Sequence, residues 1–137
     1  MSQNLPVMGI FNKLFSDKDN KVNASSSISW NELTELKQLN EIATESNEMP
    51  VLIFKHSTRC AISRMALKQF EQEYDIDADT VKPYFLDLLE HRDISNEIAN
   101  RFNVVHQSPQ LILIKEGNAM YTTSHSDISA EEVKERI

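Results

Sequence analysis

Val51-Leu52-Ile53-Phe54, closed by Lys55, constrains this chain more than any other stretch. A strand with one wet face alternates apolar and polar residues. An unbroken apolar run is covered on both faces and belongs at the centre of a sheet. The run gives way through His56-Ser57-Thr58-Arg59 to Cys60, the chain's single cysteine, where a helical pattern begins. The rows Ile62, Ala66, Phe70 and Met65, Gln69 predict its inward stripe, with Arg64 and Lys68 elsewhere on the surface.

The other elements follow from local signals. Ser29-Trp30-Asn31-Glu32 reads as a capping box, with Ile28 and Leu33 as its hydrophobic staple. Trp30, Leu33, Leu36, Leu39 and Ile42 then predict a helix running to about Ser46. Residues 84–88 read as a strand. Ile94, Ile98, Ala99 and Phe102 mark a helix closed by Asn103, which tolerates a left-handed cap. Residues 110–115 and 119–123 form a hairpin through Glu116-Gly117-Asn118. Ser129-Ala130-Glu131-Glu132, stapled by Ile128 and Val133, opens a short terminal helix. The predicted order is helix, strand, helix, strand, helix, strand, strand, helix, without internal repeats.

A length of 137 residues suits one domain. Residues 28–137 carry the periodic signals. Residues 1–27 read as a flexible arm, with a short apolar segment at residues 7–15 and a polar linker behind it. A net charge of −7 argues against nucleic acid as a partner, since phosphate needs a basic surface. No secretory signal and no membrane-spanning run is read, and one cysteine excludes an internal disulfide. The expectation is a reducing, cytoplasmic setting in which the thiol stays free.

An ordinary cysteine, titrating near about 8.5, is only a few per cent thiolate at pH 7. The unpaired N–H groups and positive dipole end of a helix start favour the thiolate, as does a neighbouring cation. Lys55, His56, Arg59, Arg64 and Lys68 form a local basic cluster, with Arg59 adjacent to the sulfur in sequence. Ser63 stands where a dithiol oxidoreductase carries its second cysteine. Its hydroxyl is placed to stabilise the thiolate, or is an ordinary first-turn polar residue. His56 is a candidate base or cationic partner for Cys60, set against a solvent-facing loop histidine. The histidines and Cys60 lack metal-ligand spacing, so no metal is expected.

With a cysteine after the strand of its first βαβ unit and a proline before a terminal hairpin, this order resembles the thioredoxin fold. The expectation is an α/β architecture with a central four-stranded mixed sheet flanked by helices. Four blocks narrow the match. Phe54-Lys55-His56-Ser57-Thr58-Arg59-Cys60-Ala61-Ile62-Ser63, Asp87-Leu88-Leu89-Glu90-His91-Arg92, Gln107-Ser108-Pro109-Gln110 and Ser124-His125-Ser126-Asp127-Ile128 together resemble the YtxJ-type monothiol bacilliredoxins of low-GC Gram-positive bacteria. The resemblance covers residues 28–137, and Ala61 stands where that family usually has proline.

The resemblance implies a thiol–disulfide exchange protein that removes bacillithiol from S-bacillithiolated proteins through Cys60 and Ser63, with Arg59 and His56 activating the thiolate. Bacillithiol is then the co-substrate, and a second bacillithiol, a recycling redoxin or a reductase completes the cycle. It also implies a cis Ser108–Pro109 bond whose backbone pairs with substrate. Ser124, His125 and Asp127 would receive a carboxylate of the small thiol, although Asp127 or Ser129 equally reads as a simple helix cap. No buried acid precedes Cys60 as in dithiol thioredoxins, which leaves Asp87 a structural role. The competing classes are a non-catalytic binding module using the Pro109 groove and an iron–sulfur carrier of monothiol-glutaredoxin type.

Overall fold

In the computed structural model, which describes residues 28–137, the chain runs β1 (Asn31–Glu32), α1 (Gln38–Glu45), β2 (Val51–His56), α2 (Ala61–Glu73), β3 (Lys82–Asp87), α3 (Arg92–Phe102), β4 (Gln110–Lys115), β5 (Asn118–Ser124) and α4 (Ala130–Arg136), with a 3₁₀ turn at His125–Asp127 before α4. The arm expected over residues 1–27 lies outside the described residues.

All six residues of β2 are buried, and β2 is the middle strand of the order β1-β3-β2-β4-β5. It pairs parallel with β3 and antiparallel with β4. Successive side chains of a strand point to opposite faces, so β2 feeds two cores. Val51 and Ile53 join Leu39 and Ile42 of α1 and Ile94, Ile98 and Phe102 of α3. Leu52 and Phe54 join Phe70 of α2 and Val133 of α4. The unbroken apolar run is the record of that double burial.

Among the described residues the sheet has five strands rather than four, and the helix before β2 is shorter than expected. Asn31–Glu32 is not the start of a helix but an edge strand parallel to β3, with Leu33 N–H donating to Phe85 O at 2.9 Å. Trp30 and Leu33, one helical face in the sequence pattern, lie against opposite cores. Tertiary contacts outweigh the local capping signature here. The Trp30 ring lies 5.9 Å from that of Phe54, 6.1 Å from Phe70 and 5.7 Å from Phe85, and its Nε1 donates to Glu71 Oε2 at 2.7 Å. The helix starts at Gln38, whose Oε1 accepts from Thr34 N and Glu35 N while its Nε2 donates to Glu32 O.

α3, the hairpin and α4 match their signals closely. Asn103 closes α3 at φ 56°. The hairpin turn has Glu116 and Gly117 at φ 51° and 77°, and Asn118 belongs to the strand rather than the turn. Its amides dock on the end of α1, where Glu116 N–H donates to Ser46 O and Gly117 N–H to Ser46 Oγ, each at 2.8 Å. Ser129 caps α4 by accepting from Glu132 N–H at 3.4 Å. Asp87 has the structural role expected, its Oδ1 accepting from Leu89 N–H.

Candidate active site

Cys60 is the N-cap of α2, in extended backbone at φ −105° and ψ 120°, and is partly exposed. Its carbonyl accepts from Arg64 N–H at 3.0 Å, starting the helix, and its own N–H is held by Ser57 O at 3.2 Å. The sulfur makes no hydrogen bond among the described residues, and neither do the N–H groups of Ala61, Ile62 and Ser63. Free donors at the positive end of a helix face the side where a sulfur anion would form.

β2 splits the basic cluster read from the sequence. Lys55 and His56 are consecutive strand residues, so they leave opposite faces. Lys55 is fully buried, its Nζ 2.8 Å from His106 Nδ1, and burial pushes its ammonium down to about 8. His106 belongs to the loop before Pro109, and the sequence reading gave it no part in the site. His56 is buried rather than a solvent-facing loop residue, at 5 % exposure, with its ring 5.4 Å from that of Phe85. Burial lowers the His56 pKa, Asp87 and Glu71 pull it back, and Arg64 adds to the fall. Burial thus works against a charged imidazole at this position.

Ser63 is fully buried, with its Oγ 2.8 Å from His56 Nδ1 and accepting from Ser57 N–H at 3.0 Å. Ser63 thus ties the end of β2 and the loop after it to the first turn of α2. Arg59 and Lys68 are exposed and unpaired among the described residues, and Arg64 reaches back to Thr58 O at 3.1 Å.

The Ser108–Pro109 bond is cis, and Pro109 is buried. Gln110 anchors the loop before it. Its Oε1 accepts from Gln107 N–H, and its Nε2 donates to Val105 O and Thr122 Oγ1. Pro109 O accepts from His125 N–H at 3.1 Å, which joins the proline loop to the turn after β5. In that turn the side chains of Ser124, His125 and Asp127 make no hydrogen bond among the described residues, because capping falls to Ser129. One end of the sheet thus gathers Cys60, Ser63 and His56 with the proline loop and the last turn. No group of three or more histidine, cysteine or acidic residues able to hold a metal ion occurs among the described residues.

α2 departs from its predicted phase. Ser63 and Phe70 face the core, whereas Ile62 and Met65 are 52 % and 71 % exposed. No described helix is long and apolar enough to cross a membrane.

Similar structures agree on the architecture. A protein assigned as an oxidoreductase with a thioredoxin fold is 29% identical, covering 76% of this chain and 89% of its own, with a TM-score of 0.64. Thioredoxin from Malassezia sympodialis is 20% identical over 81% of this chain and 90% of its own, with a TM-score of 0.63. Thioredoxin O2 from Arabidopsis thaliana is 20% identical over 80% of this chain and 94% of its own, at 0.62. The fold is that of thioredoxin. The model of the family described as monothiol bacilliredoxin BrxC matches residues 31–133. That span runs from the edge strand to the last helix and takes in the lone thiol at the head of α2, so the chain belongs to the monothiol bacilliredoxin family and is a thiol–disulfide oxidoreductase.

Proposed function

We propose that Cys60 removes bacillithiol from S-bacillithiolated proteins in the cytoplasm. The observation that carries this reading is the partly exposed Cys60 sulfur at a helix start with three unpaired N–H groups, on the same end of the sheet as cis-Pro109. The Cys60 thiolate attacks the bacillithiol sulfur of the mixed disulfide. A Cys60–bacillithiol disulfide forms, the client sulfur leaves as thiolate, and no net oxidation occurs. A second bacillithiol thiolate then attacks that disulfide, releasing oxidised bacillithiol and restoring the Cys60 thiolate. A recycling redoxin or reductase serves the same step.

In this reading Arg59 and the free amides of α2 favour the thiolate. His56 and Ser63 act differently, holding the loop that presents it. The Ser108 backbone lies against an extended substrate beside Pro109. Ser124, His125 and Asp127, whose side chains make no hydrogen bond among the described residues, frame the place for a carboxylate of bacillithiol's malate. The test is intact mass after mixing the protein with a bacillithiolated test protein. Cys60 gains the bacillithiol adduct as the test protein loses it, and Cys60→Ser abolishes the transfer. Undiminished transfer by Cys60→Ser would sink the reading.

A further inference from the structure

Among the described residues Lys55 is the only fully buried lysine, and the exchange step makes no use of it. It continues the row of Val51 and Ile53 on the face of β2 turned to α1 and α3, with Leu86 of β3 and Gln110 of β4 beside it in register. Its Nζ makes one hydrogen bond among the described residues, to His106 Nδ1, and burial alone pulls its ammonium down to about 8. No carboxylate there offsets the loss of water. A buried charge without a counter-charge lowers stability, and an apolar side chain of similar volume is often no worse. The stability of the core therefore does not explain Lys55.

What Lys55 holds is the segment before Pro109. Val105 O accepts from Gln110 Nε2 at 2.9 Å, His106 Nδ1 lies 2.8 Å from Lys55 Nζ, and Gln107 N–H donates to Gln110 Oε1 at 3.3 Å. Three successive residues are thus tied to two buried side chains that are partners across β2 and β4. At pH 7 the lysine is an ammonium, which only donates, so Nδ1 accepts. Ser108 comes next, and its N–H and C=O make no hydrogen bond among the described residues. Those are the groups with which an extended client chain pairs. His106 itself is exposed, so water can take over its Nδ1 when the lysine is removed.

Resting on the debacillithiolation reading, in which a client lies against the Ser108 backbone, we infer that Lys55 is a positioning residue for exchange: through His106 it fixes the proline loop that receives the client. Its target is client binding rather than the reactivity of the thiol.

The test uses one cysteine peptide in two forms, bacillithiolated and as the thionitrobenzoate disulfide, with single-turnover rates measured against peptide concentration. From the first Cys60 takes the bacillithiol; in the second the Cys60 thiolate attacks the peptide sulfur and thionitrobenzoate leaves as a coloured thiolate. Lys55→Met should raise the half-saturating peptide concentration at least about tenfold, while the limiting rate and the rate of Cys60 alkylation by iodoacetamide stay within about twofold. Its urea midpoint should be no lower than that of the wild type. His106→Leu should reproduce the rise, and His106→Asn, whose Oδ1 replaces Nδ1 as acceptor, should restore the wild-type value. The double variant Lys55→Met with His106→Leu should bind no more weakly than either single one.

A half-saturating concentration unmoved by Lys55→Met overturns the inference. A rise matched by slower alkylation and a lower urea midpoint also overturns it, because Lys55 is then a support of the fold. So does His106→Asn behaving like His106→Leu, which assigns the role to the imidazole itself. If the wild type exchanges with the thionitrobenzoate peptide and leaves the bacillithiolated one intact, debacillithiolation falls instead, and the thionitrobenzoate peptide still decides the role of Lys55.

Discussion

Ser63 has both sides of its hydroxyl engaged in a fully buried position, and that arrangement sets what the monothiol site tolerates. Removing the oxygen strands Ser57 N–H and His56 Nδ1, so Ser63→Ala should cost about 1–3 kcal/mol of stability in urea unfolding. No loss would mean that water replaces the hydroxyl. His56 gives this network its pH dependence. Its lowered pKa means that the folded chain resists a proton which the unfolded chain accepts near about 6.5. The contribution is whole above that pH and is lost as pH falls through it towards the folded value. Unfolding free energy should therefore fall between about pH 7.5 and 5.5, and His56→Gln should flatten part of that slope. His106, lowered by burial and by Lys55, supplies another part. Identical slopes in the two proteins would count against His56. These roles were hard to read because Lys55 and His56 adjoin in sequence. Only the two-residue period of β2 sends one to the proline loop and the other to Ser63.

At the scale of elements, the head of α2 combines a reactive position with an unoccupied structural option. Ala61 is the first helical residue, its N–H has no acceptor among the described residues, and Cys60 before it is extended at φ −105° and ψ 120°. Proline is favoured at a first helical position and wants an extended residue before it. Ala61→Pro should thus stabilise the fold by about 0.4–1 kcal/mol, chiefly by restricting the unfolded chain. Denaturant midpoints would show it, and a lowered midpoint would mean that the Ala61 N–H is engaged after all. This element was legible because a buried strand followed by a cysteine at a helical onset is a local pattern. The N-terminal segment was not. Its capping box is equally local, but Trp30 gains more from Phe54, Phe70 and Phe85, distant in sequence, than Ser29 gains from a cap. The phase of α2 was missed for the same reason, since Ser63 is drawn inward by His56 and Ser57 while Met65 is left outside.

At the scale of the molecule, the exchange site exists only where residues 56–63, 108–110 and 124–127 meet, and that meeting needs the whole sheet. Element order and the central strand were readable from periodicity, so the fold was too. The contacts between these segments were not, because nothing local in His106 or Gln110 announces the proline loop they hold. The consequence is thermodynamic. Folded Cys60 lies beside unpaired amides that an unfolded chain does not assemble, so at pH 7 it should alkylate faster in the native protein than in urea. Trp30, the only tryptophan, packs against rings of β2, β3 and α2 and reports the same sheet from its far edge. If site and sheet form one cooperative unit, iodoacetamide reactivity and tryptophan fluorescence should change with a single urea midpoint. Loss of Cys60 reactivity well before the fluorescence change would instead make the site end a separate, weaker unit. In that case local opening, rather than the native geometry, would set how long the thiol stays poised for exchange.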